Sequence, residues 1–321
     1  MSVDSPLIGV TGANGFIGRA LCSELEARGL RVRRLVRSPS LDRTPDTVVV
    51  GDIGPATDWR NALQGVDVMV HCAAHVHQMG ASADDTLATY RRVNSEGTSH
   101  LARSAADAGV RRFIFISSVK VLGEETTPGQ PFHHASQAQP TDPYGVSKWE
   151  AEKALRAIES TNGMDVVVIR PPLVYGPGVG ANFMALMRLV AKGWPLPFGR
   201  IKNQRSMVAL GNLVDLISIC TVAPAAAGQT FMVSDDEDLS TPALVRAMAQ
   251  AVGVRPRLWP VPLVCLNMLG RLTGRTDQIQ RLTTSLQVDI AHTKHQLKWS
   301  PPTRVSKEML RIVQANDVSD P

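Results

Sequence analysis

Short apolar runs alternate with longer stretches of helical periodicity through the first half of the chain. The runs at 7–10, 32–36, 47–50, 67–71, 112–116 and 165–169 are rich in Val, Ile and Phe, which fits buried strands. Between them, residues 16–28, 84–108 and 144–160 carry apolar positions at helical spacing and predict helices. Alternation of this kind implies an α/β fold, a doubly wound parallel sheet with helices on both faces. After Arg170 the texture changes. Pro171, Pro172, Pro177, Pro195 and Pro197 punctuate shorter elements. The expected division is a sheet domain over 1–171, with 205–228 returning to it, and a smaller C-terminal α/β lobe over 172–321.

Composition narrows the classes. With 321 residues, 44% apolar and 20% charged, the chain can bury a real core. Its net charge is +5, but the dense basic run is confined to Arg31, Arg33, Arg34 and Arg37, so no nucleic-acid partner is expected. Cys22, Cys72, Cys220 and Cys265 show no CxxC spacing and read as buried free thiols. No leader-like segment precedes the first strand, and no apolar run reaches the ~18 residues of a membrane span. The expectation is a cytoplasmic protein without membrane insertion. The apolar stretch 258–272 reads as core packing of the smaller lobe, in preference to a membrane-facing or partner-facing helix.

The run Thr11-Gly12-Ala13-Asn14-Gly15-Phe16-Ile17-Gly18 joins the first strand directly to the first helix. One glycine permits the tight turn. The next lets the backbone approach a pyrophosphate at the positive helix N-terminus, and the last lets helix and strand pack closely. Dinucleotide binding follows, on a Rossmann-type sheet. Asp52 and Ile53 follow the third strand, where a carboxylate can meet an adenine amino group. His71-Cys72-Ala73-Ala74 ends the fourth, where small residues let a cofactor lie against backbone. His71 itself reads as a structural histidine. A zinc site from His71, His75 and His77 is the other reading of this segment, but His71 ends a strand, so helical spacing to His75 carries little. His75 can instead line a substrate cleft. His133-His134 reads as a solvated loop.

NAD-selective sites commonly place a carboxylate at the end of the second strand, on the ribose 2′-hydroxyl. Here that end reads Val36-Arg37-Ser38. A guanidinium there suits a 2′-phosphate, so NADP(H) is favoured, with NAD(H) the alternative.

Tyr144 and Lys148 stand at i and i+4, on one face of a predicted helix. A phenol near pKa ~10 is a poor base at neutral pH, and a neighbouring ammonium favours its phenolate. Ser117-Ser118 ends the fifth strand, where a hydroxyl can bond the same substrate oxygen that Tyr144 protonates. The glycine loop, the serine strand end and the Tyr/Lys helix, in that order, point to proton-coupled hydride chemistry.

These motifs, with Val93-Asn94, Gly123 and the run Arg170–Gly178, resemble extended short-chain dehydrogenases/reductases over almost the whole chain. More narrowly, the chain resembles the UDP-glucose 4-epimerase family of sugar-nucleotide enzymes. The resemblance implies that Ser118, Tyr144 and Lys148 are catalytic, that Asn94 supports the site, and that Ser117, Pro171, Leu173 and Val174 border the cofactor. It further implies substrate contacts from Lys120, Asn182, Pro197, Arg205 and Arg281, a UDP-sugar substrate and a homodimer. Where family dehydratases carry an Asp-Glu pair after the catalytic hydroxyl, this chain has Val119 and Lys120, which disfavours dehydration. The leading expectation is a reductase acting on the C4 keto group of a UDP-4-keto-6-deoxy-N-acetylhexosamine, for bacterial polysaccharide precursors. The alternative is a UDP-hexose or UDP-N-acetylhexosamine 4-epimerase with retained NAD.

Overall fold

The computed structural model describes residues 5–39, 46–75, 83–127, 129–274 and 276–316. His77, offered above as a zinc ligand, lies outside them. The strands are β1 (Leu7–Thr11), β2 (Arg31–Val36), β3 (Thr47–Val49), β4 (Val68–His71), β5 (Arg112–Ile116), β6 (Asp165–Arg170), β7 (Leu173–Tyr175), β8 (Met207–Ala209) and β9 (Thr230–Met232). The helices of the first half are α1 (Phe16–Ala27), α2 (Arg60–Leu63), α3 (Ala83–Tyr90), α4 (Thr98–Asp107) and α5 (Pro143–Asn162). The remainder are α6 (Ala181–Ala191), α7 (Leu210–Val222), α8 (Thr241–Val252), α9 (Leu263–Thr273), α10 (Thr276–Thr283), α11 (Ala291–Leu297) and α12 (Val305–Asn316).

Seven strands form one parallel sheet in the order β3-β2-β1-β4-β5-β6-β9. The central strands β1, β4, β5 and β6 are buried on both faces, which is why they read as nearly continuous apolar runs, whereas β2 keeps arginines at its start. Alternate side chains separate cleanly. Ile8, Val10, Ile114 and Ile116 join α1 and α7 in one core, while Leu7, Met69, Phe113 and Phe115 join α2, α4 and α5 in the other. A third core, of Phe183, Met187, Met248 and Ile312, holds α6, α8 and α12 together. The strand order reverses between β1 and β4, and such a switch point opens a crevice beyond the strands' carboxyl ends.

The helix expected over 84–108 is interrupted. A π-helical turn at Arg91–Gly97 separates α3 from α4. At its end Gly97 packs so tightly on the loop after β3 that an added Cβ would lie 2.9 Å from Ile53. The apolar stretch 258–272 also departs from expectation. Within α9 only Leu266 and Gly270 are buried, and the rest of its apolar residues face outward. Cys22 and Cys220 are buried and Cys72 half-buried, but Cys265, on the outer face of α9, is exposed.

Candidate active site

The glycine loop bends back at Gly12, which has a φ of 66°. A Cβ there would lie 2.9 Å from the Ala73 nitrogen, so only glycine lets β1 and the β4 strand end converge. Gly15 N donates to Gly12 O and caps α1 with no side-chain partner. A Cβ on Gly18 would sit 2.1 Å from Gly12 O. The helix thus starts hard against the strand, with no acidic residue in its first turn. Free N–H groups at this end suit an anionic diphosphate. Asn14 is exposed at the tip, and Phe16 and Ile17 pack onto the sheet core.

Thr11 and His71 tie the two strand ends together. Thr11 Oγ1 lies 2.6 Å from His71 Nδ1, and Thr98 Oγ1 lies 3.0 Å from Nε2. Burial, helped by the charge on Lys148, lowers the His71 pKa to about 3, so the ring is neutral. It is the structural histidine expected. Among the described residues no cluster of His, Cys, Asp or Glu could hold a metal ion. His134 departs from the solvated reading, since its ring stacks on His292 at 3.8 Å.

Asn94 stands in the π-helical turn. Its Oδ1 accepts from His75 N at 2.7 Å, and its Nδ2 donates to His75 O and to Ser147 Oγ, both at 3.1 Å. It therefore joins the loop after β4 to α5. Helix α5 begins at the Asp142 N-cap, whose Oδ1 accepts from Gly145 N, with Pro143 in the first turn. A Cβ at Gly145 would lie 2.6 Å from Lys120 O, so the glycine after Tyr144 brings this helix against the loop that follows β5. Ser118 caps that loop's short 3₁₀ turn, its Oγ accepting from Lys120 N at 3.2 Å. Ser118 and Tyr144 are both half-buried there.

Lys148 is buried. Its Nζ donates to Ile116 O at 2.8 Å and lies 4.4 Å above the Phe115 ring and 5.9 Å from the centre of the Tyr144 ring. Burial lowers its pKa to about 7. Tyr144 goes the opposite way. Burial, then the Asp142 carboxylate and Tyr90, push its phenol above the ordinary value. The Lys148 ammonium, expected to favour the phenolate, is bonded in this structure to the Ile116 carbonyl and still lies near the Tyr144 ring.

Other residues also fall differently from expectation. The Ser117 hydroxyl donates to Glu152 at 2.5 Å, inside a buried Glu152–Arg170 ion pair, so it is turned away from the cleft. Lys120, expected to meet substrate, is ion-paired with Glu124 and Asp142. Arg37 and Asp52, assigned separately to a 2′-phosphate and to adenine, are paired with each other at 2.6 Å, 78% and 77% exposed. Such an exposed pair is weak, but it returns a carboxylate to the end of the second strand. Ser38 is exposed beside it, and Ile53 and Ala74 are half-buried along the crevice. Pro171 is buried, accepting from Val119 N, while Leu173 is exposed and Val174 half-buried on β7.

In the second lobe, Asn182 is exposed in the first turn of α6 and Pro197 is half-buried. Arg205 donates to Thr284 O at 3.1 Å, and burial together with the Arg281 charge lowers its pKa. The two arginines expected to hold phosphate are thus close enough to repel, a disposition that favours an anion between them.

Tyr90 was not singled out from the sequence. It is buried, its ring lies edge-on to Tyr144 at 5.9 Å and tilted to His75 at 5.4 Å, and its hydroxyl has no partner among the described residues. It stands four residues before Asn94, so helical spacing from Asn94 was the available signal.

Comparison with known proteins agrees with this geometry. Residues 8–233 match the family described as NAD dependent epimerase/dehydratase. A UDP-glucose 4-epimerase from Vibrio cholerae is 46% identical over 308 residues, covering 95% of this chain and 94% of that protein. An N-acetyl-alpha-D-glucosaminyl-diphospho-ditrans,octacis-undecaprenol 4-epimerase from Escherichia coli O157:H7 is 28% identical over 325 residues, covering 94% and 93%. The fold is shared with UDP-N-acetylglucosamine 4-epimerase from Bacillus cereus, at a TM-score of 0.78 and 18% identity over 97% of this chain and 100% of that one. The chain belongs to the NAD-dependent epimerase/dehydratase family.

Proposed function

We propose that this protein is a 4-epimerase of a UDP-sugar, with Ser118, Tyr144 and Lys148 as its catalytic residues and retained NAD as cofactor. The observation that carries the reading is the 46% identity, across 95% of the chain, to a UDP-glucose 4-epimerase. The sequence alone favoured the reductase through an unopposed Arg37, and the Arg37–Asp52 pair removes that argument. The glycine contacts at Gly12 and Gly18 fit a dinucleotide diphosphate laid across the end of α1. Bound there, NAD would supply a hydride acceptor and donor.

The protein's own residues then handle the proton. The Ser118 hydroxyl donates to the C4 oxygen. Tyr144, once ionised, would take the C4 hydroxyl proton and return a proton to the C4 oxygen when the sugar carries the opposite configuration. Lys148 fixes the strand end at Ile116 and contributes its charge near the phenol. Arg205 and Arg281 hold the UDP diphosphate, and Asn94 fixes α5 to the β4 loop. Homodimer formation belongs to the same reading.

The test is to incubate the purified protein with UDP-glucose, and separately with UDP-N-acetylglucosamine, without added nicotinamide cofactor. Conversion to the C4 epimer with no net change at 340 nm, the absorbance of reduced nicotinamide, is expected. Stoichiometric NADPH consumption with a UDP-4-keto-6-deoxy sugar, and no epimerisation, would return the assignment to the reductase.

A further inference from the structure

Helix α9 presents its apolar side to the outside. Leu266 and Gly270 face inward, the latter so close to α10 that an added Cβ would lie 2.9 Å from Ile279. Val264, Cys265, Met268, Leu269 and Leu272 occupy the opposite face, an unbroken arc of roughly 140° at helical spacing. Val264 is 69%, Met268 58% and Leu272 82% exposed.

The apolar surface continues into the chain that leads to the helix. Residues 257–259 pair with Leu196 and Gly199 through backbone bonds, which sets two further tryptophans on this part of the lobe. Trp194 is 59% and Trp259 61% exposed. Indoles combine an apolar body with a polar N–H and concentrate where one end is apolar and the other wet.

Charge selects the occupant. Residues 239–276, which carry α9 and Trp259, hold five Arg and no Asp or Glu, in a chain whose net charge is +5. Arg255, Arg257 and Arg271 are exposed beside the apolar face. A second copy would bring an equally basic face against this one, which like-charge repulsion opposes. An anionic surface with an apolar interior matches both features.

We propose that the α9 face and its two tryptophans seat this protein on an anionic lipid surface, lying in the headgroup layer. At eleven residues α9 is about 16 Å long, too short to cross a bilayer of about 30 Å. No described helix is long and apolar enough to cross one. Attachment is thus interfacial, combining apolar burial with attraction of arginines to anionic headgroups. The proposal does not depend on the sugar-nucleotide reading, because attachment is measured without substrate.

The experiment is co-sedimentation of the full-length protein with phosphatidylcholine vesicles, with and without phosphatidylglycerol. The wild type should pellet with the phosphatidylglycerol vesicles, less so in high salt, and remain in solution with phosphatidylcholine alone. The triple variant Val264→Glu, Met268→Glu, Leu272→Glu should lose at least about tenfold in partitioning while keeping the wild-type melting temperature and epimerisation rate. If that variant fails to fold, Arg257→Glu with Arg271→Glu carries the same expectation through charge alone. Wild-type protein left in the supernatant with anionic vesicles would overturn the proposal. So would either folded variant pelleting as wild type does. A wild-type dimer that the triple variant dissociates, with no vesicle binding, would assign the face to a second copy and also overturn it.

Discussion

Burial, then the Asp142 carboxylate and Tyr90, push the Tyr144 phenol above its ordinary value. Tyr144 is the proton acceptor of the proposed reaction, so removing its hydroxyl removes that acceptor. Tyr144→Phe should lower turnover about 10²–10⁴-fold with nucleotide affinity unchanged, as read by steady-state rates and calorimetry. Tyr90 tests the packing around it. Its hydroxyl is buried without a partner among the described residues, so Tyr90→Phe should leave stability unchanged or raise it by up to about 1 kcal/mol in urea unfolding. Tyr90→Ala should cost about 3–5 kcal/mol, by analogy with other aromatic truncations, and lower turnover by freeing the Tyr144 ring. Equal effects of the two would contradict a role for the ring. The Tyr/Lys spacing and the serine strand end were legible in sequence because each is a short-range pattern on one element. Tyr90 was not, since its partners His75 and Tyr144 come from two other segments. Spacing placed Lys148 beside Tyr144, but only the fold shows that the ammonium is bonded to Ile116 O.

At the scale of elements, two contacts decide whether the site assembles. Helix α1 meets β1 through Gly18, and Gly18→Ala would drive a Cβ to 2.1 Å from Gly12 O. The loop must shift, at a cost of about 1–3 kcal/mol from overpacking, and bound NAD should fall in proportion when measured on the purified protein. Helix α5 meets β6 through Glu152 and Arg170, both buried, with Ser117 as third member. Glu152→Gln would leave an uncompensated buried guanidinium and should cost about 3–5 kcal/mol in chemical unfolding. A loss below about 1 kcal/mol would mean that the pair is solvated. The strands were legible because a buried parallel sheet demands continuous apolar runs. The break in the predicted helix over 84–108 was not, and the close approach of Gly97 to Ile53 that accompanies it comes from another element. Arg37 and Lys120 carry the same lesson. Each looked free in sequence, and each meets a carboxylate, Asp52 for one and Glu124 with Asp142 for the other.

Across the whole molecule, the sheet joins at its switch point through His71, which bridges Thr11 on β1 and Thr98 on α4. Its folded pKa of about 3 lies below the ordinary histidine value of 6.5, so the unfolded chain takes up a proton first as pH falls. The stability it contributes is complete above about pH 6.5 and is lost progressively toward pH 3. By pH 5 the loss should be about 2 kcal/mol from this group. A His71→Gln variant, weaker at pH 7, should lose correspondingly less between pH 7 and 5 in urea titrations, and parallel losses would place the acid sensitivity elsewhere. The sheet domain and its nucleotide loop were readable from the chain because each motif sits where one strand ends. The second lobe was less readable. Its apolar stretch 258–272 has the composition of a core helix, and only the placement of Leu266 and Gly270 inward shows that its other side is free to meet a surface. The central claim, that hydride leaves C4 and returns to C4, is tested most directly with a UDP-sugar carrying deuterium at C4 and no added cofactor. The account predicts that the epimer retains the deuterium at C4, with Tyr144→Phe nearly inactive. Epimer that has lost its deuterium, or turnover that proceeds only with consumption of NADPH, would contradict it.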